Sequence, residues 1–169
     1  ALARLNTLVG SRIAIGIPGS GTLAFVDPLL TANGVTPANS TLHESGGKEA
    51  LRQLRSGEID AALFVGMHSR AGTGDGVMNH TISGRDFQNL WFNGTLVGET
   101  GINAALCGTW GCPVVLVTGD TAACREGTEL LGPGLVTVAV KQGLGDYGAR
   151  NVAPLRARKL IEEGAKRAL

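Results

Sequence analysis

Short apolar runs recur along the chain, and most of them are followed by glycine or by a polar turn. Such runs are typical of strands that are buried on both faces of a sheet. Segments in which apolar residues recur every three or four positions lie between them and are typical of covering helices. The pattern predicts strands over residues 12–17, 40–44, 59–65, 113–118 and 136–140. It predicts helices over residues 23–32, 48–56, 99–109, 121–131 and 154–168.

The alternation of strands and helices predicts an α/β fold. Right-handed crossovers between parallel strands place helices on both faces of the sheet. We therefore expect a three-layer α/β/α sandwich with a mostly parallel sheet, in the flavodoxin-like strand order 2-1-3-4-5. Asn93-Gly94, between two apolar stretches, predicts an inserted β-hairpin. The absence of a linker or repeat predicts that residues 1–169 form a single domain.

Composition narrows the classes of function. The chain has 169 residues, of which 43% are hydrophobic and 17% charged, with a formal net charge of +1. These values are typical of a globular protein and predict no nucleic-acid partner. No apolar run is long enough for a membrane span, and the first residues do not resemble a signal peptide. We expect no membrane partner and, for the chain expressed as given, a cytoplasmic location.

A turn between the first predicted strand and helix is a candidate ligand-binding site. Ser20, Gly21 and Thr22 would offer hydroxyl groups and free N–H groups at the start of a helix, which suit a carboxylate or a phosphate. Ordinary capping of the helix by Ser20 or Thr22 is the alternative interpretation.

The first third of the chain resembles a family of binding proteins. Residues 8–22, 49–51 and 54–61 are similar to the TAXI solute receptors of TRAP transporters, which are periplasmic binding proteins of two lobes. The resemblance implies that Ser20-Gly21-Thr22 helps to hold a small carboxylate ligand. It covers one lobe, so the opposing lobe of such a receptor would be missing.

The remainder carries motifs of a different family. Gly66-Met67-His68-Ser69-Arg70, residues 76–81, Val97-Gly98-Glu99 and residues 113–120 resemble the zinc-dependent D-aminopeptidase (DppA-like) family. The resemblance implies that His68 and Glu99 bind zinc and that His80 is a catalytic residue beside the metal. Imidazole and carboxylate groups are ordinary zinc ligands. His68 also follows a predicted buried strand, at the sheet edge where α/β proteins bind ligands. The alternative interpretation is two loop histidines and a first-turn acid that the helix dipole favours.

The chain departs from the D-aminopeptidase pattern in one respect. The family's first strand ends in an Asp-x-Glu pair, and here residues 16–20 contain no carboxylate. By position, His43 and Glu44 are candidate replacements for a further histidine ligand of that family. Two firm ligands fall short of the three that a catalytic zinc site usually has.

These observations lead to three hypotheses. The first is a recombined, engineered chimera joined within residues 59–66, with a binding-protein segment (1–64), a D-aminopeptidase segment (65–169), a remnant zinc site and no efficient catalysis. The second is a zinc-dependent D-aminopeptidase acting on short D-amino-acid peptides, and the third is a small-carboxylate binding module. In each case the aromatic hairpin around Trp91 and Phe92 is a candidate surface for homo-oligomer formation, with capping of the sandwich as the alternative.

Overall fold

The computed structural model describes residues 9–15, 27, 30, 31, 34–45 and 47–168. Within these residues the strands are β1 (Arg12–Ala14), β2 (Thr41–His43), β3 (Ala62–Met67), β4 (Leu90–Phe92), β5 (Thr95–Val97), β6 (Val114–Asp120), β7 (Val136–Gly143) and β8 (Ala149–Asn151). The helices with described bounds are α1 (Gly47–Arg55), α2 (Glu99–Thr109), α3 (Thr121–Leu131) and α4 (Pro154–Ala168). Most of the helix predicted over residues 23–32 lies outside the described residues.

The main sheet has the strand order β3-β6-β7-β8. Strands β3, β6 and β7 run parallel, and β8 adds to the edge in the antiparallel direction. The predictions of an α/β fold and of a mostly parallel sheet are therefore confirmed. Strand β8 was not predicted, because its three residues are partly or fully exposed and carry no apolar alternation.

Helices pack on both faces of this sheet. Leu116 of β6 clusters with Val138 of β7 and with Ile161 and Ala165 of α4. The next residue, Val117, faces α3, where the missing side chain of Gly127 leaves room for close packing. Successive residues of a strand point to opposite faces, so α3 and α4 cover opposite sides of β6.

The first two strands form a parallel pair of their own. In the predicted order 2-1-3-4-5, the neighbours 2-1 and 3-4-5 are observed, but no described strand pairing joins β1 to β3. The complete flavodoxin-like order is thus not confirmed. Arg12 of β1 instead contacts the segment before β3, through an ion pair with Asp60 at 2.7 Å and a backbone N–H donated to the same carboxylate at 3.1 Å.

The inserted hairpin is confirmed as β4 and β5. Trp91 lies opposite Leu96 in the antiparallel register. The turn residues Asn93 and Gly94 both have positive φ, at 49° and 82°. This is the turn geometry that favours Asn-Gly, because it matches the twist of the flanking strands.

The described residues contain no helix long and apolar enough to cross a bilayer. The three thiols, Cys107, Cys112 and Cys124, are free and buried. Cys107 and Cys112 pack with Leu54 of α1 in a second apolar cluster. They serve there as small hydrophobic side chains.

Candidate metal centre

His68 stands immediately after β3, at the carboxyl edge of the main sheet. Met67, the last residue of β3, pairs with Gly119 of β6, so the chain leaves the sheet beside the carboxyl end of β6. Beyond this point the chain enters a long loop that runs to β4. This is the position at which open α/β sheets carry their ligand sites.

The fold brings His80 and Glu99 to the same place. Glu99 is the first residue of α2, and His80 lies in the loop between β3 and β4. The Nε2 atom of His68 is 3.0 Å from Oε2 of Glu99, and Nε2 of His80 is 3.7 Å from the same oxygen. The two imidazole rings are stacked, with centroids 3.8 Å apart. The three side chains are one-quarter to one-third exposed, so the cluster is open to a ligand.

Backbone carbonyl groups orient both imidazoles. His68 Nδ1 is 3.1 Å from the carbonyl oxygen of Ser69, and His80 Nδ1 is 2.7 Å from that of Met78. A carbonyl oxygen can only accept a hydrogen bond, so each Nδ1 carries the proton. In the neutral ring, Nε2 then has a free lone pair directed at Glu99. Histidine ligands of metals are generally held in this way.

A metal ion fits this arrangement. Oε2 of Glu99 is buried without a hydrogen-bond donor, and it faces Nε2 of His68 and of His80. The lone pairs of these three atoms repel one another unless a cation lies between them. A single proton on one imidazole would bridge that ring to Glu99 and would leave the other ring without a partner. Tetrahedral zinc with ordinary bond lengths separates its ligand atoms by about 3.4 Å, and the observed 3.0 and 3.7 Å bracket that value. Imidazole and carboxylate groups are both ordinary zinc ligands.

Buried carboxylates anchor the loop that follows His68. Asp120, at the end of β6, accepts the backbone N–H of Val77 at 2.8 Å and caps α3 by accepting that of Ala123 at 2.8 Å. Glu126 of α3 accepts the backbone N–H of Arg70 at 2.7 Å. The burial of Glu126 raises the pKa of its carboxyl group. The loop is therefore held against β6 and α3 at two points between His68 and His80.

These anchors were not predicted as parts of the site. Asp120 carried a usable signal, because an aspartate directly before a helix is a common cap. Glu126 carried none, since a glutamate inside a helix is usually exposed. Both residues lie outside the group of side chains that could bind a metal ion, and they act on the backbone near that group.

A cavity of about 380 Å³ adjoins the two histidines. Its lining also includes Lys141 of β7, Asn151 of β8 and the exposed Tyr147 between these strands. None of the three was predicted, because they belong to the sheet edge opposite β3 and carry no motif. The cavity gives the cluster an adjacent space for an organic ligand.

The other predicted ligands do not join the cluster. Among the described residues, the group that one metal ion could bind consists of His68, His80 and Glu99. His43 instead lies 3.0 Å from the side-chain nitrogen of Gln53 through its Nδ1 atom, and Glu44 is exposed. Ser20, Gly21 and Thr22 lie outside the described residues, so the carboxylate-binding turn stays a prediction.

Two imidazoles and a carboxylate, grouped at the carboxyl edge of an α/β sheet, are typical of the zinc hydrolases as a class. Comparison with known proteins gives the family. The family model of the D-aminopeptidases, peptidase family M55, matches residues 45–169. The chain belongs to this family.

A curated protein sequence and a solved structure, both from Bacillus subtilis, are similar to the chain. The D-aminopeptidase of strain 168 is 39% identical over 102 residues, which are 60% of this chain and 36% of that protein. The solved structure described as the Zn-dependent D-aminopeptidase DppA, a self-compartmentalizing protease, superposes with a TM-score of 0.64 at 30% identity. That match covers 77% of this chain and 47% of the solved chain. The chain thus spans between about one-third and one-half of the length of these relatives.

The hypothesis of an engineered chimera without catalysis is wrong. The family match covers residues 45–169, so it starts upstream of the proposed junction at 59–66 and includes it. The error has a physical origin. A strand buried on both faces is apolar in any α/β protein, so the residues around β3 carry little information about ancestry. The resemblance of the first third to TAXI receptors stays a prediction.

Proposed function

We propose that this protein is a zinc-dependent D-aminopeptidase that removes the N-terminal residue from short D-amino-acid peptides. The observation that carries the proposal is that Nε2 of His68 and Nε2 of His80 both face Oε2 of Glu99. This oxygen is buried and has no hydrogen-bond partner. Membership of the D-aminopeptidase family supports the reaction class, and the zinc dependence of the similar structure supports the metal.

In this proposal His68 and Glu99 hold the metal through Nε2 and Oε2. When bound, zinc supplies Lewis-acid polarisation of the scissile carbonyl and promotes deprotonation of water. The hydrogen bond from His68 Nδ1 to the Ser69 carbonyl keeps Nε2 unprotonated and available. The adjoining cavity receives the peptide beside these ligands.

His80 is proposed to move the proton. Its Nδ1 is fixed by the carbonyl of Met78, which leaves Nε2 free to take a proton from water and to release it to the leaving amine. Because Nε2 of His80 is 3.7 Å from Glu99, against 3.0 Å for His68, it is the more remote of the two nitrogens. It is therefore the better placed to exchange a proton.

The three histidines of the chain provide a matched test. Zinc content is measured by native mass spectrometry on untagged protein, and hydrolysis is followed with D-alanyl-D-alanine and with its L,L isomer. We expect His68→Ala to lose both zinc and turnover. His80→Ala should keep zinc and lose about 100-fold or more in kcat, as removal of a general acid–base group does. His43→Ala, outside the cluster, is the control and should retain zinc.

Three results would contradict the proposal. Unchanged turnover in His68→Ala would remove the cluster from catalysis. Loss of zinc in His80→Ala, to the same extent as in His68→Ala, would make His80 a third ligand rather than a proton carrier. Preferential cleavage of the L,L isomer would reject the substrate class.

Self-association through the hairpin is a further part of the proposal. The similar structure is described as self-compartmentalizing, and Trp91 and Phe92 on the β4–β5 hairpin are 57% and 41% exposed. Large apolar side chains exposed together usually meet a partner. We expect Trp91→Asp to lower the mass measured by light scattering, whereas an unchanged mass would exclude this surface.

A further inference from the structure

Lys141 occupies a distinctive place in the cavity beside the metal cluster. It lies in β7, opposite Asp120 of β6 and opposite Asn151 of the edge strand β8. It is half-buried and lines the same cavity as His68 and His80. The reaction proposed above assigns it no part.

The charges around Lys141 favour an anionic ligand. The described residues that line the cavity include no carboxylate. The ion pairs formed between described residues do not involve Lys141. A partly desolvated ammonium group without a counter-ion is stabilised by a ligand that brings a negative charge.

The sheet sets the distance between Lys141 and the cluster. Met67 pairs with Gly119 of β6, and the following residue, Asp120, pairs with Lys141 of β7. Two strand spacings separate the backbones by about 10 Å. The side chains of His68 and Lys141 both line the cavity at this edge of the sheet. The space between them suits about one peptide residue, which spans at most about 3.6 Å.

We propose that Lys141 binds the free C-terminal carboxylate of a dipeptide-sized substrate whose scissile carbonyl lies at His68 and Glu99. This inference rests on the proposed function and specifies how the same site selects its substrate. The cavity, at about 380 Å³, lies near the lower limit of ordinary ligand pockets. Lys141 therefore makes the enzyme selective for short peptides with a free carboxylate at the required distance.

The test compares D-alanyl-D-alanine with its C-terminal amide, which lacks the negative charge. The variants are Lys141→Met, which keeps the stem and removes the charge, and Lys141→Arg, which restores a cation. Lys159→Met, an exposed position on α4, is the control for the same change of charge elsewhere. Both kcat and KM are measured on zinc-loaded protein. Dissociation constants are measured by calorimetry in a His80→Ala background, where turnover is suppressed.

We expect the wild type to favour the acid over the amide by about 10- to 100-fold, mainly through KM, as a charge-assisted hydrogen bond would give. Lys141→Met should reduce this ratio to near one. Lys141→Arg should restore most of it, and Lys159→Met should leave it as in the wild type. An equal loss for both substrates in Lys141→Met would overturn the inference, because it would indicate a structural role.

Failure of the proposed function gives a different result. In one outcome the wild type hydrolyses neither compound but binds the acid with a preference that Lys141→Met abolishes. This outcome would support the carboxylate-binding site at Lys141 and refute the proposed peptidase activity. If neither compound binds, the Lys141 site is refuted as well.

Discussion

Replacing Glu126 by alanine would test how the fold holds together the two segments that carry His68 and Glu99, the predicted zinc ligands. The carboxylate accepts the backbone N–H of Arg70, two residues after His68, at 2.7 Å. Its other oxygen is buried without a hydrogen-bond partner and lies close to Gly98, which precedes Glu99. One side chain of α3 thus contacts the backbone beside both predicted zinc ligands.

The magnitude follows from these contacts. Glu126 is only 8% exposed, so Glu126→Ala leaves the N–H of Arg70 without an acceptor, and water does not easily replace it. Loss of a hydrogen bond to a charged group costs about 1.5–3 kcal/mol. Truncation of the partly apolar stem adds to this through lost packing. Removal of the carboxylate also removes the cost of burying its charge, which stabilises the variant and partly offsets these losses. We expect the free energy of unfolding to fall by about 2 kcal/mol in total.

Glu126→Gln separates the hydrogen bond from the charge. Burial raises the pKa of Glu126 above its ordinary value of 4.5, so the folded protein binds the proton more tightly than the unfolded chain does. The stabilisation of the folded state by this tighter proton binding is complete below pH 4.5. It is lost as the pH rises through the raised pKa of Glu126. Gln keeps an acceptor for Arg70 and does not titrate. The stability of the wild type relative to Glu126→Gln should therefore fall as the pH rises from 4.5.

Urea denaturation at several pH values measures these differences, and zinc affinity is measured in parallel. Glu129, exposed on the same helix, provides the control, since Glu129→Ala should change stability by less than about 0.5 kcal/mol. Glu126→Ala should also weaken zinc binding, because the segments that bear His68 and Glu99 lose their common anchor. Equal stability and equal zinc affinity of Glu126→Ala and Glu129→Ala would show that Glu126 is not an anchor of these segments.

Two further predictions follow from packing and burial. A Cβ at Gly98 would lie 2.7 Å from the Cβ of Arg70, so Gly98→Ala should destabilise the protein by about 1–3 kcal/mol. Gly108→Ala, in open space within α2, should instead stabilise it by about 0.5–1 kcal/mol in thermal melts, and the opposite order would contradict the packing. Burial raises the pKa of Cys112 and of Cys124 to about 11. A thiol reagent at pH 8 should therefore modify them only on unfolding, and rapid reaction of the native protein would show that they are accessible.

The fold was predictable where local pattern and tertiary packing agree. Strands β6 and β7 were predicted over residues 113–118 and 136–140, which are mostly apolar because helices cover both faces of the sheet there. Their polar ends, up to Asp120 and Gly143, were not predicted. The Asn93-Gly94 hairpin was predictable because its turn requires positive φ at two successive residues, which few other pairs tolerate. Strand β8 was not, since its pairing with β7 is made by the backbone and leaves no apolar signature.

The site was only partly predictable for a related reason. His68, His80 and Glu99 lie in recognisable motifs, yet their convergence on one oxygen depends on the path of a loop that no periodicity describes. Glu126 and Lys141 come from α3 and β7, far along the chain from those motifs. Lys141 is brought to the site by parallel strand register, which places residues about 70 positions apart at one sheet edge. Glu126 reaches it from the helix that follows β6.

The misplaced junction shows what kind of residue carries ancestry. Residues 59–66 were interpreted as a boundary because two families share apolar strands of this kind, but the strand's own requirement is burial between helices. The information that distinguishes families lies instead in residues that a fold does not need, such as a histidine placed just after a strand. In this chain those residues, His68, His80 and Glu99, lie within one continuous family match that begins before β3. In an α/β protein, the loops at the carboxyl edge of the sheet therefore indicate ancestry more reliably than the strands that lead to them.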